Sequence, residues 1–288
     1  MYTCKIENYK NDVITLTQNE SNFQLINIEG LNPPNAQINL STIAGLDGAR
    51  FNSSKLEVRN IVIYIKLNGD VEFNRIMLYK YFSTKEWCKF YYKNGLRDVF
   101  IECYAESVDV TPFSNNEIMQ ISLVCPKPYF KDMEEVITDI SKVIAGFTFP
   151  FSINIDEPIP ISIFNTNRIT NVFNSSETEM GAIIKISVLG NINKILIRNT
   201  GTGETFTINN TQGFVSGDIV TINTNKGEKS VTLFRNGQTT NLFPYLVSGS
   251  IWFQLLIGNN SFSYLIDNGD NDDMVDIEFK HRALFRGV

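Results

Sequence analysis

The residues of this 288-residue sequence that could carry out chemistry form poor constellations for it. His281 is the single histidine, which excludes any site built on two imidazoles. A Ser-His-Asp arrangement needs only one, but no G-x-S-x-G elbow exists to present the serine. His281 follows an apolar run near the C-terminus, between Lys280 and Arg282, and reads as a surface or interface histidine. Glu134-Glu135 and Asp272-Asp273 are adjacent carboxylates. Neighbours on a strand point to opposite faces and neighbours on a helix diverge, so neither pair converges as glycoside hydrolysis requires.

Asp267-Asn268-Gly269-Asp270-Asn271-Asp272-Asp273 has calcium-loop chemistry in the wrong register. An EF-hand loop needs oxygen donors at its first, third and fifth positions and glycine at its sixth. Starting at Asp267 puts Gly269 third, and starting at Asn268 puts Asp273 sixth, so the stretch reads as a solvated loop. Gly201-Thr202-Gly203 lies between strand-like runs and opens no helix, so it reads as a β-turn rather than a phosphate cradle. Cys4, Cys88, Cys103 and Cys125 include no CxxC pair and signal neither zinc nor a redox motif. They read as buried free thiols of a reducing compartment. No catalytic residue, metal ligand or cofactor contact is assigned, and the chain is expected not to be an enzyme. A sandwich hydrolase using carboxylates distant in sequence is one alternative.

Exposed aromatics on a β-sandwich can stack on sugar rings, and Trp252 and Tyr264 stand on successive strand-like runs, so they are the candidate glycan contacts of a second alternative, a carbohydrate-binding module. Core packing explains the same pattern, because Ile251, Phe253 and Leu255 against Trp252 and Leu256 would fill both faces of one strand.

The elements behind these residues are mostly strands: short runs of Ile, Val, Phe, Tyr and Thr bounded by Asn, Gly, Asp and Ser. Leu56–Leu67 reads as one long strand with Val58, Ile61, Ile63 and Ile65 on its apolar side. After Asn68-Gly69-Asp70 the period changes. Phe73, Ile76, Met77 and Tyr81 recur at helical spacing, and Asp70 can cap a helix over Val71–Ser83. Trp87–Tyr92 and Asp98–Val110 flank Asn94-Gly95, a pair suited to the positive φ of a tight hairpin turn. Asn115-Asn116 marks a further turn before the alternating strand Ile118–Cys125. Cys125-Pro126-Lys127-Pro128 stops regular pairing, because proline donates nothing to a sheet ladder. Asp132–Lys142 is left open between helix and strand, and Pro150, Pro158 and Pro160 continue the punctuation.

From Ile159 onward nearly everything reads as strand: Ile159–Phe164, Ala182–Leu189, Ile192–Arg198, Thr205–Asn209, Asp218–Asn223, Lys229–Phe234, Ser250–Ile257, Ser261–Ile266 and Met274–Lys280, with a helical turn at Leu242–Leu246. The fold class is therefore mainly β. An N-terminal α+β domain, residues 1–130, has a sandwich-like sheet with one helix and a hairpin. A linker, 131–150, leads to a C-terminal jelly-roll or galectin-like β-sandwich, 151–288.

Apolar residues at 43% suffice for two such cores, and charge at 19% is too low for a disordered chain. A net charge of -6 disfavours a nucleic-acid partner, which would call for a basic excess. No window approaches eighteen uninterrupted apolar residues, so no membrane-spanning helix is expected, and no apolar stretch follows Met1–Ile6 as a signal peptide would require.

The order of features resembles the distal tail protein family of long-tailed phages and related tail-like particles. Three stretches carry it: Gly48-Ala49-Arg50-Phe51 ahead of Leu56–Lys66 and the Phe73–Phe82 helix; Glu117–Phe130 with its Pro-aromatic exit; and Gly217-Asp218-Ile219-Val220-Thr221 with Lys229-Ser230-Val231 and Ser250–Leu255. The closing Val275–Phe279 with Arg282, Phe285 and Gly287 fits the same pattern. Unlike members with a larger insertion in the second domain, this chain has room there for one sandwich only. The resemblance implies a homohexameric ring, made by the first domain, that continues the tail tube at the virion tail tip after synthesis in the bacterial cytoplasm. Its partners would be the tail tube protein, the tail-tip hub or tail-associated lysin, and receptor-binding proteins outside. The residues then expected at ring contacts are Leu56, Val58, Ile61, Ile63, Phe73, Met77, Trp87 and Tyr92.

Overall fold

The computed structural model describes residues 2–20, 22–45, 47–110, 117–140, 143–145, 162–164, 169–266 and 274–288. The Asp267–Asp273 loop, the Asn115-Asn116 turn and Pro150, Pro158 and Pro160 lie outside these residues. The chain forms two units, one of Met1–Met133 with Leu284–Val288, the other of Glu134–Ala283.

In the first unit the strands are β1 (Thr3–Asn8), β2 (Val13–Leu16), β3 (Phe23–Glu29), β4 (Ala36–Ser41), β5 (Arg50–Leu56), β6 (Arg59–Leu67), β7 (Trp87–Lys93), β8 (Asp98–Val110), β9 (Ile118–Cys125) and β10 (Phe130–Asp132), with helix α1 (Val71–Tyr79) after β6. Seven of them make one antiparallel sheet in the order β2-β1-β7-β8-β9-β6-β3. β10 joins β8, and Leu284–Phe285 from the C-terminus joins β10. On β6, Ile61, Ile63, Ile65 and Leu67 all point inward, the two-residue period of a strand with one buried face. They meet Phe90, Ile101, Met119, Ile121 and Leu123 in one apolar core that includes all four cysteines.

The expected single run Leu56–Leu67 is two strands. It breaks at Glu57-Val58, where β5 leaves the core and forms a separate ribbon with β4 alone. Helix α1 starts where expected, with the Asp70 carboxylate accepting from the Phe73 N–H at 3.1 Å. It stops at Tyr79, and Tyr81 and Phe82 follow in tighter turns that deliver Phe82 to the core. The β7–β8 hairpin is present with different turn chemistry. Four residues connect the strands, and the Asn94 side chain accepts from the Leu96 and Arg97 N–H groups, both at 2.8 Å. Gly95 is not among the glycines of positive φ.

The second unit is a two-sheet sandwich. Its strands are β11 (Val136–Asp139), β12 (Val143–Ala145), β13 (Ser162–Phe164), β14 (Thr170–Asn174), β15 (Ile183–Val188), β16 (Ile192–Asn199), β17 (Thr205–Phe214), β18 (Ile219–Asn223), β19 (Ser230–Arg235), β20 (Gln238–Asn241), β21 (Gly258–Ile266) and β22 (Val275–His281). One sheet runs β11-β22-β15-β18-β19-β20 and the other β14-β21-β16-β17. Phe262 of β21 meets Phe279 of β22 across the shared core, ring centroids 4.7 Å apart. Residues 136–139, expected within a linker, pair with β22 as a strand of this unit. Ser250–Ile257, expected as a strand, is not one. Its backbone changes partners from the Thr205 carbonyl to Met180 and then to the Asn260 side chain, so no continuous ladder forms. The turn at Leu242–Leu246 is a single 3-10 turn, Phe243–Tyr245.

Candidate functional site

The ribbon β4–β5 is the least expected feature of the first unit. Among the described residues it pairs with no other strand, and its residues are exposed on both faces almost throughout. In an antiparallel pair, opposite residues share a face. The register puts Ala36 opposite Leu56, Ile38 opposite Ser54 and Leu40 opposite Phe51 on one side, with Gln37-Lys55, Asn39-Ser53 and Ser41-Arg50 on the other. The ribbon is thus amphipathic, with an apolar face in solvent: Ile38 and Leu40 are each 58% exposed and Phe51 60%.

Its root, in contrast, is fixed. Arg59, the first residue of β6 and three residues past the end of the ribbon, is 2% exposed and has no carboxylate partner among its hydrogen bonds. Its guanidinium donates to the carbonyls of Pro128 at 2.8 Å and Asn32 at 2.7 Å, and to those of Gly30 and Arg286. The group lies over the Phe130 ring at 4.5 Å, and burial lowers its pKa from the usual value. Two more contacts lock the root. The Val288 N–H donates to the Leu31 carbonyl at 3.1 Å, and Gly287 packs so closely on Pro33 that a Cβ there would come within 2.9 Å. Gly30 has φ +84°, and a Cβ would sit 2.0 Å from the Asn60 carbonyl oxygen, so only glycine fits where the chain turns out of β3.

A second apolar surface lies on α1. Leu78 and Asn74 face inward, and the Asn74 amide donates to the Asn68 carbonyl at 2.7 Å. Phe73 and Ile76, three residues apart on one stripe, are 65% and 56% exposed.

The expected contact residues divide accordingly. Val58, Phe73 and Trp87 are exposed, while Leu56 and Met77 are partly buried. Ile61, Ile63 and Tyr92 are corrected: all are core residues, because they fall on inward positions of β6 and β7 and cannot reach a neighbour. Ile38, Leu40 and Arg59 lie outside the expected contact set. Arg59 was nonetheless readable, since it shares the parity of Ile61, Ile63 and Ile65 and must point inward with them.

Among the other candidates, Tyr264 is buried and so leaves the glycan platform. Trp252 is half-buried, edge-on to Phe206 at 5.0 Å and beside Phe243 at 5.6 Å, with Lys229 over its ring. His281 is not a surface residue: it is buried, neither ring nitrogen has a hydrogen bond among the described residues, and burial lowers its pKa while nearby Glu135 opposes the shift. All four thiols are buried and free. Burial pushes Cys4 up to about 12, and hydrogen bonds with Cys125 and Cys88 hold Cys103 well above the thiol range. Cys88 and Cys103 face each other across β7 and β8 with sulfurs 3.3 Å apart. The Gly201–Gly203 stretch is a turn whose N–H groups at Gly201 and Thr202 donate to the Asn199 side chain. Among the described residues, no three His, Cys, Asp or Glu side chains group to hold a metal. No helix there is long and apolar enough to cross a membrane.

Residues 175–282 match the family described as siphovirus-type tail component, C-terminal domain. Most of the second unit is thus similar to the C-terminal domain of a siphovirus-type tail component. Over 98% of its length the chain superposes on the crystal structure of SPP1 Dit, described as a paradigm of the hub adsorption apparatus in phages infecting Gram-positive bacteria, with TM-score 0.68, 13% identity and 99% of that chain covered. It also superposes on a chain of the phage P2 baseplate in its activated conformation, with calcium at TM-score 0.52 and with strontium at 0.51, each at 12% identity over 98% of this chain and 99% of that one. At these identities the likeness establishes the fold. No curated protein sequence matches the chain significantly.

Proposed function

We propose that the chain is a distal tail protein of a phage or phage-tail-like particle that assembles through its first unit into a hexameric ring at the distal end of the tail tube, at the virion tail tip. The ring joins the tube protein to the tail-tip hub or tail-associated lysin, and receptor-binding proteins attach outside it. The protein works by shape and is not an enzyme. One observation carries this reading: an amphipathic ribbon whose root is rigidly clamped and whose apolar face is bare. Isolated two-stranded ribbons are marginal in water, and uncovered apolar faces and strand edges are association sites. Six repeats of one heterologous contact close a ring when the rotation per copy closes.

Negative-stain electron microscopy and native mass spectrometry of the purified full chain at high concentration, alone and with the tube protein, test this. Six-fold rings with a central hole are expected. A monomer under every condition would refute the reading.

A further inference from the structure

The geometry points to a specific pairing within the ring: the apolar face of the β4–β5 ribbon of one copy docks on the Phe73–Ile76 stripe of helix α1 of the next. The inference rests on the ring reading and deepens it by naming the two surfaces that meet. Both belong to the same unit, and they differ in shape, one a flat ribbon and the other a helical ridge. A contact between two unlike patches of one molecule is head-to-tail, the type that builds rings rather than closed two-fold pairs.

The spacings agree. Ile38 and Leu40 are two residues apart on one face of a strand, roughly 6.6 Å. Phe73 and Ile76 are three residues apart on a helix, with Cβ atoms roughly 5–6 Å apart. The areas are of the same order. The exposed side chains of Ile38, Leu40 and Phe51 with those of Phe73 and Ile76 offer on the order of 600 Å² of apolar surface per contact, about two thirds of the apolar part of a standard interface. A standard interface of about 1,600 Å² that is a little over half apolar contains roughly 900 Å². The polar face of the ribbon, with Lys55 and Arg50, stays in water when the apolar face docks.

The test is a double variant, Ile38→Cys with Ile76→Cys, oxidised after assembly, beside Ile38→Asp with Phe51→Asp. These positions are exposed in the single chain, so the substitutions leave its fold intact. The native thiols are buried and do not compete. A ladder of disulfide-linked multimers ending at six copies is expected on a non-reducing gel, with monomer alone from either single-cysteine variant. The double aspartate variant is expected to weaken assembly by at least about 100-fold, since it buries unpaired carboxylates. If the wild type forms rings, the cysteine pair gives no ladder and the aspartate variant still forms rings, the pairing is wrong and the ring reading stands. If the aspartate variant keeps its rings but no longer binds the tube protein, the ribbon serves the tube and the inference falls. If the wild type forms no ring in any mixture, both fall together.

Discussion

Replacing Arg59 by alanine removes a buried guanidinium that ties four carbonyls together, those of Gly30, Asn32, Pro128 and Arg286. Hydrogen bonds to a charged group contribute about 1.5–3 kcal/mol each, so four at the lower bound sum to about 6 kcal/mol. Water reaching the opened root recovers part of this, leaving a net loss on the order of 3–4 kcal/mol. For a unit of this size, each kcal/mol shifts the melting midpoint by roughly 3 °C, so a fall of about 10 °C is expected in the transition of the first unit. Arg59→Lys should fall by about half as much. Its ammonium keeps the charge but lacks the planar fork that reaches four acceptors, and it loses the stacking on Phe130. Calorimetry reads the midpoint, and hydrogen exchange locates the change: the amides of Glu57 and Val288, which donate to the Asn35 and Leu31 carbonyls, should lose protection while β15–β19 keep theirs. If Arg59→Ala melts within 1 °C of the wild type, and protection at the root is unchanged, the guanidinium is not what fixes the ribbon.

Gly30→Ala should destabilise the first unit by roughly 2–5 kcal/mol, combining a strained positive φ with a clash on the Asn60 carbonyl. Gly48→Ala is the control, also at positive φ but with nothing near its Cβ, and should lose only about 1 kcal/mol in chemical denaturation. For His281, the folded state holds the pKa below the unfolded value of about 6.5, so its contribution to the second unit is fully present above pH 6.5 and is lost as pH falls through the folded pKa. Below pH 6.5 stability should decline by up to about 1.4 kcal/mol per pH unit, and His281→Phe should flatten that slope; a variant with the wild-type slope would assign the proton elsewhere.

The sequence made the sheet strands legible wherever one face alternates. Ile61, Ile63 and Ile65, or Ile184, Ile186 and Val188, are strand and core at once, and their period requires it. The α1 cap was legible because Asp70 acts locally. What failed depends on tertiary partners. Phe73 and Ile76 have helical spacing, yet the packed side of the helix includes Asn74, whose amide is satisfied by Asn68 and Asn22. Trp252 and its neighbours have strand composition, yet the backbone there is shared among three partners. His281 ends β22 between two charged residues and is buried nonetheless, because strand parity puts it on the side of Ile277 and Phe279. The ribbon was hidden for a related reason. Its Ile38-Asn39-Leu40 alternation is too short to announce a strand, and nothing local says that β5 and β6 part at Val58.

The clamp at the root and the bare face above it belong to one physical arrangement. Association immobilises side chains and loops, and a partner already fixed in its bound shape loses less entropy on binding. A ribbon attached through flexible residues would forfeit much of that advantage. Here Arg59, Gly30 and the returning Gly287-Val288 fix the root. Loosening the clamp and charging the face should therefore separate. Arg59→Lys weakens assembly through the conformational freedom of the ribbon and lowers the melting midpoint, whereas Ile38→Asp weakens assembly while the isolated chain melts as before.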